Sequence, residues 1–425
     1  MEIIKNPEWK DWATILQRPH TDNEIIYDNV STILKNVKEN SDASVRKYSS
    51  HFDGVSLQDF TVSKAELALA ENSISTALKT AMQLASANIR KFHQKQISPV
   101  EVLETMPGIK CWQRSVAIEK IGLYIPGGTA PLFSTVLMLG IPAQMVGCKE
   151  IILCTPPSKS GTIHPAILYA AKLCEISKIY KVGGAQAIAA MAYGTGIIPK
   201  VYKIFGPGNQ YVTAAKQLVQ QEGVAIDMPA GPSELLVFAD ETAMPEFVAA
   251  DLLSQAEHGP DSQVILISNL ESIVQRVEEE IKKQVQKLPR KEIAFKALEN
   301  SKAIIVKDFT TAIELINEYA PEHLIIACKD AETFAGQIIN AGSVFLGNYS
   351  PESAGDYASG TNHVLPTNGF ARSCSGVNID GFVKKITYQQ LTKEGLQNIG
   401  DTVSEMAMAE GLDAHKNAVT VRLKN

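Results

Sequence analysis

The chain has 425 residues, 45% of them hydrophobic and 20% charged, with a formal net charge of −6. At roughly 100–200 residues per domain, that length predicts two or more domains with real cores. The negative balance argues against nucleic-acid or anionic-membrane partners, which would need a basic surface, and no run approaches the ~20 apolar residues of a membrane span.

The N-terminus, Met1-Glu-Ile-Ile-Lys-Asn-Pro-Glu-Trp, lacks the basic start and apolar run of a signal peptide, so a cytoplasmic protein is expected. Residues 64–93 place Leu67, Leu69, Ile74, Leu78, Met82, Leu84 and Ile89 at a helical period, and the N-terminal third reads helical. From about residue 117 strands and helices alternate. Val116-Ala-Ile and Ile121-Gly-Leu-Tyr-Ile read as strand, Pro126-Gly-Gly-Thr as a turn, and a helix follows through Leu139 and Met145. Ile151-Ile-Leu-Cys, Ile179-Tyr-Lys-Val and Val201-Tyr-Lys-Ile-Phe read as further strands with helices between them. A second series starts at Leu235-Leu-Val-Phe and runs through Val264-Ile-Leu-Ile, Ala303-Ile-Ile-Val, Leu324-Ile-Ile-Ala and Val344-Phe-Leu-Gly. Such alternation implies parallel sheets covered by helices, hence two α/β domains. The last ~50 residues read mostly helical and are too few to fold alone.

Three glycine turns, Pro126-Gly-Gly-Thr, Gly183-Gly-Ala-Gln and Gly206-Pro-Gly-Asn, each follow a strand and open a helix. None is G-x-G-x-x-G, and each alone is a plain βα turn. Together they suit a nucleotide crevice at strand ends, where backbone N–H groups and helix N-termini hold phosphate. The six cysteines, Cys111, Cys148, Cys154, Cys174, Cys328 and Cys374, form no Cys-x-x-Cys pair and read as reduced core residues. A cysteine nucleophile of the aldehyde dehydrogenase type, with Cys148 or Cys154, is a competing reading that needs an exposed thiolate.

In Asp251-Leu-Leu-Ser-Gln-Ala-Glu-His-Gly-Pro, helical spacing puts Asp251, Gln255 and His258 on one face, ended by Gly259-Pro260. That is either a solvated polar face or two metal ligands one turn apart. In Tyr319-Ala-Pro-Glu-His-Leu, Pro321 breaks a helix and Leu324 starts a strand. Glu322 and His323 therefore sit on a connection, as a surface turn or as an acid–base pair. Residues 350–366 read as a polar, glycine-rich loop carrying Glu352, Asp356 and His363. Glu410 and His415 lie near the C-terminus, where a tail histidine is ordinarily just exposed.

These segments together resemble the histidinol dehydrogenase family. The resemblance also rests on Gly122-Leu-Tyr-Ile-Pro-Gly-Gly, Val182-Gly-Gly-Ala-Gln-Ala-Ile-Ala, Phe205-Gly-Pro-Gly-Asn, Asp227-Met-Pro-Ala-Gly-Pro-Ser-Glu, Gly355-Asp-Tyr to Pro366, and Ala414-His-Lys-Asn-Ala-Val. It runs along nearly the whole chain. What it implies is NAD-dependent, four-electron oxidation of L-histidinol to L-histidine through bound L-histidinaldehyde, the last step of histidine biosynthesis. By position it implies one zinc per subunit on Gln255, His258, Asp356 and His415, with Glu322 and His323 as the catalytic pair. It implies NAD contacts from Tyr124, Gln186 and Asn209. Substrate contacts would come from Ser233, Gln255, His258, His323, Asp356, His363, Glu410 and His415. The implied architecture is two incomplete Rossmann-like domains in an intertwined homodimer with an active site shared between subunits. The corresponding division is an N-terminal segment (1–22), a first α/β domain (23–125 with 234–375), a second (126–233) and a C-terminal helical dimerisation segment (376–425). A non-catalytic zinc-dependent binder of amino-acid-like ligands remains the alternative of another class, and it would have no use for Glu322-His323.

Overall fold

The computed structural model describes residues 1–19, 24–127, 130–229 and 231–424. Of the first glycine turn, Gly128 and Thr129 lie outside the described residues, as do Ala230 and residues 20–22 of the expected N-terminal segment. The strands are β1 (Glu2–Lys5), β2 (Val102–Met106), β3 (Ile109–Ala117), β4 (Lys120–Tyr124), β5 (Glu150–Thr155), β6 (Lys178–Lys181), β7 (Lys203–Phe205), β8 (Ala225–Ile226), β9 (Glu234–Ala239), β10 (Gln263–Ser268), β11 (Lys302–Ile305), β12 (His323–Ala327), β13 (Ser343–Leu346) and β14 (Val383–Leu391).

They form two parallel sheets and one antiparallel sheet, and the α/β expectation holds. The first parallel sheet has the order β6-β5-β4-β7-β8. The second has the order β1-β11-β10-β9-β12-β13. Counted from its own first strand, each βα series has the order 3-2-1-4-5, a Rossmann sheet short of its last strand. The apolar runs explain this. β9 and β10 are buried along their whole length, as parallel strands covered on both faces must be. β1 joins the open edge of the second sheet beside β11.

Residues 64–93 form two helices rather than one, Lys64–Ser73 and Thr76–Gln94, because Ser75 leaves the helix and caps the Leu78 N–H. The N-terminal helices pack on the first sheet, not on the second series with which the sequence groups them. Ile26, Val30 and Val37 share a core with Ile152, Ile188 and Val219, and Met82 and Ile89 share one with Leu123 and Leu137. An amphipathic face shows that it is covered, not by which sheet.

The C-terminal segment is mostly helical, as expected, but it opens with a strand. β14 pairs antiparallel with β3, and β2 lies on the other side of β3. Val383–Leu391 has no fully buried residue, so it shows no in-out alternation that would mark a strand. Helices Lys393–Ala409 and Asp413–Lys424 follow on this arm, which leaves Val102, Leu103 and Met406 exposed. Among the described residues no helix is long and apolar enough to cross a membrane.

Candidate active site

Helix Pro245–Ala256 runs back along the second sheet, so its last turn returns to the edge where β9 and β12 begin. That edge carries Glu234 and His323. Helix Phe309–Tyr319 ends in a left-handed Ala320 (φ 51°), and Pro321 cannot continue it. The chain thus turns Glu322 and His323 inward. They are only 7% and 3% exposed, which decides against a surface turn. His323 is the first residue of β12, one position earlier than its pattern suggests.

Glu322 Oε2 accepts the Glu234 N–H at 2.8 Å and lies 3.6 Å from His323 Nδ1. His323 Nδ1 also faces the Glu234 carbonyl at 3.3 Å, which turns Nε2 towards Asp356 Oδ1 at 3.4 Å. Burial disfavours the charged ring. Glu322, Asp356 and Glu352 outweigh it and hold the His323 pKa well above its ordinary value.

Beside this pair, donor atoms of His258, Glu352 and Asp356 lie within 4.8 Å of one another. Asp356 Oδ1, Glu352 Oε2 and His323 Nε2 are buried without a hydrogen-bond partner among the described residues. Buried orphan carboxylate oxygens are costly unless something positive meets them. Two carboxylates and an imidazole at this spacing fit a divalent cation such as zinc. Burial pushes Glu352 up to about 8. Burial also acts to raise Asp356, but the neighbouring histidines hold it below its usual value. The Gln255 amide satisfies its neighbours with its oxygen on the Glu234 N–H (3.2 Å) and its nitrogen on Glu352 Oε1 (2.9 Å). Residues 350–366 are not all loop, since Glu352–Tyr357 is a short helix that points Glu352 and Asp356 the same way.

His363 has both ring nitrogens engaged, Nδ1 with the Asp356 carbonyl (2.7 Å) and Nε2 with Thr135 Oγ1 (3.1 Å). Ser233 is half-buried next to Glu234. Glu410 and His415 lie on the exposed C-terminal arm, and the described residues of one chain do not bring them to the cluster.

The support of this edge is nearly invisible in the sequence. Arg18 holds the buried Glu234 carboxylate by Nε at 2.6 Å and Nη2 at 2.8 Å, and donates to the Tyr319 carbonyl at 2.7 Å. Its only trace in the sequence is an acidic residue opening an apolar strand. Glu352 was visible only as one polar residue among many.

A pocket of about 1470 Å3 opens at the carboxyl ends of β4 to β7, where open α/β sheets bind nucleotides. Tyr124, Gln186 and Asn209 all line it. Tyr124 Oη accepts the Gly184 N–H at 3.0 Å, and Asn209 Oδ1 caps helix Gln210–Gln221. Gln186 is fully buried, with both amide atoms unpartnered among the described residues. Gly206 (φ +125°) admits no side chain, because a Cβ there would lie 2.0 Å from the Tyr124 carbonyl oxygen. Neither Glu322 nor His323 lines this pocket. The Thr135–His363 hydrogen bond ties the helix after the first glycine turn to the segment that carries Asp356.

A buried ion pair fixes the third turn. Lys216 Nζ pairs with Asp227 Oδ1 and donates to the Gly206 carbonyl at 2.8 Å, while Asp227 Oδ2 accepts the Gly206 N–H at 2.8 Å. Lys216→Met is expected to cost about 3–5 kcal/mol, because it strands a buried carboxylate. Urea unfolding measures this, and a loss below ~1 kcal/mol would show the pair to be dispensable.

The cysteine alternative finds no support. Cys154 is fully buried and burial pushes its pKa far up, while burial pushes Cys148 up to about 12. Neither lines the pocket.

A family model described as Histidinol dehydrogenase matches residues 16–423. A histidinol dehydrogenase of Bacteroides thetaiotaomicron is 59% identical, covering 100% of this chain and 99% of its own. The crystal structure of histidinol dehydrogenase from Elizabethkingia anophelis superimposes with a TM-score of 0.98 at 55% identity, covering 100% and 98% of the two chains. An acetylating aldehyde dehydrogenase of Geobacillus thermoglucosidasius shares the fold alone, with a TM-score of 0.51 at 15% identity over 89% and 96%. A match that runs the length of the chain, on a fold carrying this buried edge and this pocket, places the protein in the histidinol dehydrogenase family.

Proposed function

We propose that this enzyme oxidises L-histidinol to L-histidine in two two-electron steps, with L-histidinaldehyde held between them. The observation that carries this is the buried Glu322-His323 pair beside a cation-fitting cluster, in a chain whose other parallel sheet opens a dinucleotide-sized pocket. NAD would occupy that pocket, against Tyr124, Gln186 and Asn209, and each molecule would accept one hydride.

Gln255, His258 and Asp356 are assigned as zinc ligands, with His415 supplied by a second copy of the chain. Bound there, zinc orients the imidazole and amine of the substrate, acting as a template. Glu352 holds the Gln255 amide and adds negative charge to the same cradle. With a cation drawing on the charge of Asp356 and Glu352, which otherwise holds a proton on the ring, His323 would take the alcohol proton at Nε2 in the first step, its ring fixed through Nδ1 by the Glu234 carbonyl. In the second Glu322 takes a proton from water as it adds to the aldehyde. Ser233, His363 and Glu410 complete the substrate contacts, Glu410 facing the cationic amine. Retaining the aldehyde protects a reactive intermediate from water and side reactions.

The exposed apolar residues of the arm support the intertwined homodimer, with residues 376–425 as the dimerisation segment and Glu410 and His415 acting in trans. A cytoplasmic setting belongs to the same proposal. Residues 126–233 are proposed as the core of the cofactor unit, which also takes β4 and the N-terminal helices, and 234–375 as the other unit. The deciding experiment counts NADH per L-histidinol consumed to completion. Two equivalents are expected, and one or none would overturn the four-electron reading.

A further inference from the structure

In a Rossmann sheet the acid that binds the adenosine ribose stands at the end of the second strand. Here that strand is β5, and it ends in Thr155-Pro-Pro, with no acid. A carboxylate reaches the same place from outside the βα series. Asp53, on the short helical segment Ser49–Asp53, lines the pocket and accepts the Gly183 N–H. Its Oδ1 lies 3.2 Å from where a Gly183 Cβ would be, and the Pro156 ring lies on the same spot. Asp53 is thus at the ends of β5 and β6, the second and third strands, over which the adenosine half of a dinucleotide lies.

The polar atoms there are unspent. Asp53 Oδ2, Thr155 Oγ1 and both Gln186 amide atoms are buried without partners among the described residues, and all three residues line the pocket. Thr155 and Gln186 are each at least 99% buried. Unpartnered buried polar groups are rare, and several converging on one pocket point to a polar ligand that satisfies them. A ribose diol has two donors and two acceptors at this scale.

Resting on the NAD reading above, we propose that Asp53, with Thr155 beside it, binds the adenosine ribose hydroxyls and makes the pocket select NAD over NADP. An added 2′-phosphate would meet the carboxylate as like charge in a partly dry site. Burial pushes Asp53 up to about 6, so it is mostly ionised at pH 7.5. Lys47 also lines the pocket, but it is exposed, where water and salt screen it.

The test measures kcat and KM on the intact enzyme with NAD, NADP and NAD lacking the adenosine 2′-hydroxyl. The wild type is expected to lose about tenfold in kcat/KM with the 2′-deoxy cofactor, the cost of an unmade buried hydrogen bond. Asp53→Asn is expected to raise the NAD KM by about tenfold, with the loss falling on KM more than kcat. It should lose little more with the 2′-deoxy cofactor, and its preference for NAD over NADP should fall at least about tenfold. A merely structural Asp53 would leave both ratios unchanged, and that result overturns the proposal. Should Asp53→Asn fail to fold, the wild type still decides, because full activity with 2′-deoxy-NAD overturns it. A wild type that reduces neither NAD nor NADP overturns instead the cofactor reading on which this one rests.

Discussion

Glu322→Gln is expected to slow the conversion of aldehyde to acid by roughly 10²–10⁴-fold, the usual worth of a positioned general base. Gln keeps the shape of the side chain, and its amide oxygen can still accept the Glu234 N–H that Glu322 Oε2 accepts at 2.8 Å. What it loses is a proton acceptor. L-Histidinol binding should change little, because the cluster of His258, Glu352 and Asp356 stays intact. Rapid-mixing measurements should therefore show one NADH formed early and the second formed slowly. Turnover at the wild-type rate would remove Glu322 from the mechanism. The same variant separates this enzyme from a non-catalytic binder, for which that substitution has no kinetic consequence.

Removing the cation should abolish activity, and adding zinc should restore it. The physical reason is the pair of orphan carboxylate oxygens, Asp356 Oδ1 and Glu352 Oε2, buried beside His258. Two ionised carboxylates there would repel one another, and burial, with Asp356 nearby, pushes Glu352 up to about 8, so it holds a proton unless a positive charge takes its place. A cation bound there would favour the folded state, and its removal should lower the thermal midpoint as well as the rate. Metal content, midpoint and activity measured on the same dialysed sample check this. Full activity with no bound metal would rule the zinc assignment out. An unchanged midpoint after complete removal would show that the cluster does not need a cation to be stable.

The two βα series were legible because their strands are buried on both faces. Leu235 to Ala239 and Val264 to Ile267 are continuous apolar runs bounded by turn residues, and such runs have few other uses. The glycine turns were legible for a related reason, since Gly206 has no room for a side chain against the Tyr124 carbonyl. β2 and β14 were not legible, because they belong to an arm with both faces open in a single chain, where neither face is selected for burial.

By itself the sequence determined the α/β class, the order of the strands along the chain and the residue types that can do the chemistry. These follow from local rules, period and turn chemistry, which act between residues close in sequence. Only the tertiary structure decided which of those residues meet. It buried Glu322 and His323, drew Glu352 into the cluster with His258 and Asp356, and anchored Glu234 through Arg18, 216 positions away. It laid the N-terminal helices over the first sheet and brought Asp53 to the ends of β5 and β6. Such meetings depend on how apolar faces share a core and on which charges burial leaves unpaired, and no local pattern carries that information.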